Sequence, residues 1–284
     1  MFDFFKRLQV DPKQRMRQVL GDFRLPMFPQ VVMKALGKIR DPKASAREVS
    51  AIISADPGLS MQVFKIVNSA AFMTRRGIVD LTQAVAMMGM NKLESLLLSV
   101  AVGNGLPHES RQGYSFQVFW RAAMQRAAIA SSLSVIVCPG RRMESFTAAL
   151  LQDMAIPFLL QQQTDSYLPV LTSWRTDAKV DLAHLERSHF DWDHAEVATW
   201  ICSEWSLPET ISMVIGEHHG SLDLGGQCPL PVSIVNCVRD VEENSWIDQL
   251  LERALDKLNI EIEQLKDTIH QSLETAEDLY KLFK

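Results

Sequence analysis

Apolar side chains recur at helical spacing along almost the whole chain. Leu59, Val63, Ile66, Val67 and Ala70 fall at i, i+4, i+7, i+8 and i+11, which lays a core-facing stripe along one helix. Just before it, Ser45-Ala-Arg-Glu48 has the form of a capping box, and Val49, Ile52 and Ile53 follow on one face. Asp56 is placed to cap the next helix, with Pro57 at its first position, where a missing N–H costs nothing. Asp80-Leu-Thr-Gln83 starts a further helix that Gly89 ends, and Asn91-Lys-Leu-Glu94 starts another with Leu93, Leu96, Leu97 and Val100 inward.

Three Gly and one Pro between residues 103 and 114 interrupt the pattern and predict a loop at a subdomain boundary. Helical spacing resumes over about 115–136 and 143–162, on either side of Pro139-Gly140. Asp193-His-Ala-Glu196 caps a helix running to about Ser206, and Leu207-Pro208-Glu209 restarts one that ends at Gly220. A Gly/Pro-rich stretch over 221–231, a helix over 232–241 and two amphipathic helices from Trp246 to Lys284 complete the reading. Sustained alternation of period two is absent, so the prediction is an all-α bundle of many short helices with a C-terminal helical extension.

Composition narrows the function classes. The 284 residues are 47% hydrophobic and 22% charged, an ordinary globular balance able to bury a sizeable core. A net charge of −5 argues against a nucleic-acid footprint, and Arg75-Arg76 and Arg141-Arg142 read as solvated pairs. Apolar runs are too short to span a bilayer, so no membrane role is expected. Residues 1–13 read as a short lead-in packing Phe2, Phe5 and Leu8 on the body, not as an export signal. Four cysteines without a C-x-x-C pair predict buried, reduced thiols and a cytoplasmic location.

A series of motifs adds a family. Leu25-Pro-Met-Phe-Pro29, Asp41-Pro-Lys-Ala-Ser45, Asp56-Pro57, Asn68-Ser69-Ala70, Phe72, Ile78–Val85 and Met88-Gly89 come in order. Phe119-Trp120-Arg121, Phe146–Met154, Asp193-His194-Ala-Glu196, Trp205, Leu207-Pro208 and His218-His219 continue them. In order and spacing this resembles the HDOD family, the HD-related output domain of bacterial signalling, over roughly residues 14–222. The resemblance implies an HD-domain-like bundle at 14–222, divided into 14–106 and a degenerate HD part at 107–222. The extension at 223–284 lies outside it. Asp56, Pro57, Asn68 and Ser69 are then structural signature residues.

The same resemblance frames the chemistry. An HD enzyme of this kind uses a His, a His-Asp pair and a later Asp to hold one or two divalent metals that activate water. Here the first His position falls on Ala122 (or Ala123), the pair on Gln152-Asp153, and the last Asp near Asn236 or Cys237. A methyl group cannot ligate a metal and an amide is a poor ligand, so Asp153 alone survives and no metal, cofactor or catalytic residue is expected. Asp153 should instead be hydrogen-bonded inside the core. His194 reads as a cap-region residue and His218 as buried. His218 and His219 on one helix would point about 100° apart, so one at most should face a shared pocket. Ala122, Gln152, Asp153, His194, His218 and His219 together mark the vestigial pocket.

The resulting expectation is a non-catalytic output module acting through contact with a signalling protein, with a homodimer as a further possible assembly. The alternatives are an HD-type metal-dependent phosphohydrolase and a sensor that binds a nucleotide second messenger without turning it over.

Overall fold

The computed structural model describes residues 12–21, 25–68, 78, 80–177, 179–220, 230–241 and 244–282. Ser69, Ala70, Phe72, Arg75-Arg76, Cys228, most of the N-terminal lead-in and most of the 221–231 stretch lie outside them. Among the described residues there are helices and turns and no strand beyond an isolated bridge between Arg111 and Tyr114. The all-α prediction holds.

The first half is a cluster of short helices: α1 (Pro12–Leu20), α2 (Gln30–Ile39), α3 (Ala46–Ser54), α4 (Pro57–Val67), α5 (Leu81–Met88) and α6 (Met90–Gly105). Their ends are set by the residues expected to set them. Ser45 and Glu48 close a reciprocal capping box on α3, and the Asp56 carboxylate accepts from the Leu59 N–H at 2.9 Å on α4. Gly89, at φ 78°, separates α5 from α6 in a conformation that suits glycine. Asn68 donates to and accepts from the backbone of Ile78, at 2.8 and 2.6 Å, which ties off the segment between α4 and α5.

The second half is built around α7 (Phe116–Val137), against which α8 (Arg142–Leu151) and α16 (Ile262–Leu282) pack. Around these lie α9 (Ala155–Gln162), α10 (Thr164–Thr176), α11 (Leu182–Phe190), α12 (His194–Glu204), α13 (Glu209–Gly216), α14 (Leu230–Ile234) and α15 (Ile247–Lys257). Leu265, Ile269, Ala276 and Leu279 of α16 are buried, Ser272 Oγ bonds Ser132 Oγ at 2.8 Å, and Arg121 lies over the Tyr280 ring. The C-terminal helices thus pack on their own chain. No single helix among the described residues is long and apolar enough to cross a membrane.

Five local readings change. α6 continues through Gly103 to Gly105, because Gly103 is a contact position: a Cβ there would stand 2.9 Å from the Trp120 ring of α7. The helix expected over 143–162 is broken by a turn at 152–154. The helix expected to reach Gly220 stops at Gly216, and the one expected over 232–241 gives way to a 3₁₀ turn at Val235–Cys237 followed by extended backbone. Cys202 and Cys237 are buried and free as expected, whereas Cys138 is half-buried and disulfide-bonded, its partner lying outside the described residues. The breaks at 152–154 and after Gly216 are what create the site.

Candidate functional site

Asp153 sits in the turn between α8 and α9, 5% exposed, with its carboxylate directed inward. Its Oδ2 lies 3.0 Å from Nη1 of Arg126 on α7, a side chain 1% exposed that also donates to the Val238 carbonyl at 2.9 Å. Arg126 stands one helical turn beyond the buried Ala122. Burial alone would raise the Asp153 carboxyl. The guanidinium of Arg126, followed by His194 and His218, outweighs it and holds the group well below the usual carboxylate range. Gln152 is fully buried, and among the described residues neither atom of its amide has a partner; Nε and Nη2 of Arg126 are likewise unpartnered.

On the other side of Asp153 three imidazoles converge. His194 opens α12, where Asp193 caps the helix by accepting from Glu196 N–H at 2.8 Å. Asp191, in the left-handed region at φ 65°, turns the chain sharply between α11 and α12. Glu186 of α11 is thereby brought beside His194, eight residues later. The Glu186 carboxylate is fully buried; Oε2 accepts from the His194 backbone N–H at 2.8 Å and lies 2.6 Å from its Nδ1, while Oε1 accepts from the Tyr167 hydroxyl. His218 and His219 come from the turn after α13, where departure from helical geometry lets both rings face one point.

Nε2 of His194 is 3.2 Å from Nε2 of His218 and 3.1 Å from Nε2 of His219. Asp153 Oδ1 closes the group at 3.4 Å from His194 Nε2 and 3.5 Å from His218 Nε2. Behind the rings, His218 Nδ1 meets the Ile215 carbonyl at 2.6 Å and His219 Nδ1 meets Asp181 Oδ2 at 3.1 Å. Asn236 donates to the His218 carbonyl at 2.9 Å and accepts from Arg253, which fixes the turn from below. Burial pushes His194 down, but the Glu186 and Asp153 carboxylates prevail and hold it well above an ordinary histidine. Burial, then His218, push His219 down to about 4 against the pull of Asp181.

The expected pocket residues therefore fare differently. Asp153, His194 and His218 meet as a buried cluster, and Gln152 and Ala122 are buried. His194 is a core residue rather than a surface cap. His219 joins His218 in one site because the pair lies in a turn and not on a helix. Arg126, Glu186 and Asp181 were not singled out in the sequence. Glu186 and Asp181 belong to a stretch, Asp181–Asp193, that reads as polar surface, and His184 and His189 in it are indeed exposed. A carboxylate four residues after Leu182 on the same helical face was the one available hint.

The family profile described as HDOD domain matches residues 25–221, more than two thirds of the chain. The chain belongs to the HDOD family. Solved structures similar to it include an HDOD domain protein from Geobacter sulfurreducens, 19% identical, covering 95% of this chain and 96% of that one at a TM-score of 0.66. A candidate phosphohydrolase from Shewanella amazonensis SB2B is 18% identical, with 95% and 98% coverage and a TM-score of 0.70. At these identities the likeness shows the HDOD fold. A curated relative, an uncharacterized protein of Treponema pallidum (strain Nichols), is 23% identical over 257 residues. The match covers 89% of this chain and 49% of that protein, so the chain spans about half the length of the curated relative it matches.

The dinuclear centre of an HD hydrolase does not fit these HDOD residues. Ala122 offers no donor, and the Gln152 amide stands where an imidazole is required. Asn236 is spent on His218 and Arg253, and the Cys237 thiol, pushed up to about 11 by burial, bonds a carbonyl as a neutral donor. Arg126 supplies a fixed positive charge on Oδ2 of Asp153, one of the carboxylate's two oxygens.

Proposed function

We propose that this HDOD chain is a non-catalytic output module of signal transduction that works by contact with a protein partner. The observation that carries this reading is the buried Arg126–Asp153 ion pair at 3.0 Å. A guanidinium, always charged and already desolvated, stands beside the carboxylate on which a bridging metal would depend, and a phosphate-activating pair of cations then has no shared ligand. Burial of the cluster supports the same reading: among the described residues Asp153, His194 and His218 are 5%, 1% and 1% exposed, a setting poorly suited to a phosphoester and an attacking water. The disposition of exposed groups supports contact with a partner. Val135, Ile136 and Val137 at the end of α7 are 51%, 40% and 38% exposed, an apolar run of the kind a protein surface covers. One similar HDOD-fold structure, from Marinobacter aquaeolei VT8 at 16% identity and a TM-score of 0.63, carries the name of a candidate signal transduction protein.

The test is hydrolysis of bis(p-nitrophenyl) phosphate and p-nitrophenyl phosphate with Mn²⁺, Ni²⁺, Fe²⁺ or Mg²⁺ added. The expected rate equals that of the metal alone. Turnover above that blank, abolished by chelator and by Asp153→Asn, overturns the reading. On the partner side, a complex formed by the intact chain should be lost on Val135→Glu/Ile136→Glu while the fold, read by circular dichroism, is unchanged.

A further inference from the structure

We infer that the cleft between the end of α6, the start of α7 and the end of α16 binds one planar, uncharged heteroaromatic ring of the nucleobase class.

The cleft has a volume of about 200 Å³, with Phe116, Trp120 and Tyr280 among its walls and Asn104, His108 and Gln117 at its mouth. The first three are buried and the last three exposed, so aromatic carbon lines the inside and polar atoms the opening. His108 stacks on Phe116 at a centroid distance of 4.4 Å with 16° between the planes, and Phe116 on Trp120 at 6.0 Å with 11°. Near-parallel rings offer a flat ligand stacking contact. Gly103 lets Trp120 lie against α6, since a Cβ there would stand 2.9 Å from the indole. Water inside meets carbon on most sides, so a ring that displaces it gains affinity. The volume suits a ring system and not a whole nucleotide, because sites for larger ligands start at about 300 Å³.

The mouth carries hydrogen-bonding groups of both kinds. Gln117 Oε1 accepts from Ser110 Oγ at 3.0 Å and from Ser115 Oγ at 3.1 Å, which occupies the carbonyl and leaves the amide NH₂ to donate. His108 Nε2 lies 3.1 Å from the Gly103 carbonyl and carries the hydrogen, so in the neutral ring Nδ1 is an acceptor. The Asn104 amide has no side-chain partner among the described residues and supplies a donor and an acceptor together. Donors and acceptors side by side at the edge of an aromatic stack match the edge of a base, which presents both. Among the described residues no Lys, Arg, Asp or Glu lines the cleft, which excludes a phosphate or carboxylate as the group bound inside it.

The walls and mouth are fixed by contacts within the chain. Ser110 Oγ also accepts from the Phe116 N–H at 3.1 Å, and Arg111 and Tyr114 exchange backbone hydrogen bonds at 2.8 and 2.9 Å, which holds the loop between α6 and α7. The Arg121 guanidinium lies 4.8 Å from the centre of the Tyr280 ring and its Nε is 3.4 Å from Glu277. A site held in this way loses little entropy on binding. Tyr280 belongs to the extension beyond the family match at 25–221, so a bound ring joins the last helix to the HDOD body. The cleft lies at the start of α7 and the exposed run Val135–Val137 at its end, so the inference does not rest on the partner-binding reading.

The test is isothermal titration calorimetry of the full chain with adenosine, guanosine, cytidine and uridine, and with benzyl alcohol as a ring that lacks the paired donors and acceptors of a base. A nucleoside should bind at one equivalent with a micromolar to sub-millimolar dissociation constant and raise Tm with its concentration. The purines should bind most tightly, as the larger stacking faces, and AMP no more tightly than adenosine. Asn104→Leu, at an exposed position, should weaken binding about 2–10-fold, the size of one uncharged hydrogen bond. Tyr280→Leu should weaken it about 5–100-fold, the loss of one stacking wall, with circular dichroism checking the fold of both variants. His270→Ala, 78% exposed and not in the lining, should bind as the parent does. Absence of nucleoside binding, AMP far tighter than adenosine, or an affinity that neither Asn104→Leu nor Tyr280→Leu moves would overturn the site. Benzyl alcohol as tight as the nucleosides would also overturn it, in favour of a cleft for a partner's aromatic side chain. None of these results alters the hydrolysis test, so failure of this site and failure of the non-catalytic reading are read separately.

Discussion

Replacing Arg126 by Met removes the guanidinium paired with Asp153, a carboxylate that is 5% exposed. Breaking a buried ion pair from one side costs on the order of 3–5 kcal/mol, because the remaining charge is left in a medium that cannot solvate it. For a domain of 150 residues or more each kcal/mol moves Tm by about 2–4 °C, so the expected drop is roughly 6–20 °C. The assay is thermal and urea denaturation in the presence of chelator, which keeps any bound cation out of the comparison. A second variant, Arg126→Met/Asp153→Leu, separates the pair from the packing. With both charges gone, at least half of the loss should return, the remainder reflecting the Val238 carbonyl that Arg126 also served.

The pH dependence has a defined sign. In the parent the Asp153 carboxyl is depressed, so its contribution is complete above the unfolded value of about 4 and fades as pH falls through the lower folded value. In the single variant burial is opposed by the two histidines alone, and the carboxyl rises. The stability gap between parent and variant should therefore be widest near neutrality and narrow on acidification. A loss under about 1 kcal/mol, a double variant no more stable than the single one, or a gap that widens in acid would refute the assignment of Arg126 as the counter-charge.

Three further substitutions probe the frame around the site. Gly103→Ala places a methyl 2.9 Å from the Trp120 ring and should cost about 1–3 kcal/mol by chemical denaturation, since two packed helices must separate. Gly216→Ala meets Thr199 Oγ1 at 2.8 Å and should cost a similar amount, about 1–3 kcal/mol; Thr199→Ala in the same chain should restore most of it. Tyr167→Phe leaves Oε1 of the fully buried Glu186 without its donor, and a loss of about 1–3 kcal/mol is expected in the same measurement.

The residues that end helices were legible because their chemistry is local. The Ser45–Glu48 box and the Asp56, Asp80 and Asp193 caps bond within three residues along the chain, and all form as read. Gly103 was misread because a glycine that frees a loop and a glycine that admits a tryptophan look alike in one dimension. Glu186 was missed because a carboxylate in a polar run gives no sign of being buried until Tyr167 and His194 arrive from other helices.

From the sequence alone came the helical class, most of the caps, membership of the motif series and the absence of donors at Ala122 and Gln152. These rest on periodicity and on residue identity, which a chain carries wherever it folds. Only the tertiary structure set Arg126 against Asp153, and only it turned the His194, His218 and His219 rings toward one point. Those contacts join residues as far apart along the chain as Asp153 and His218, through two helix breaks whose location depends on packing between elements rather than on any propensity within them.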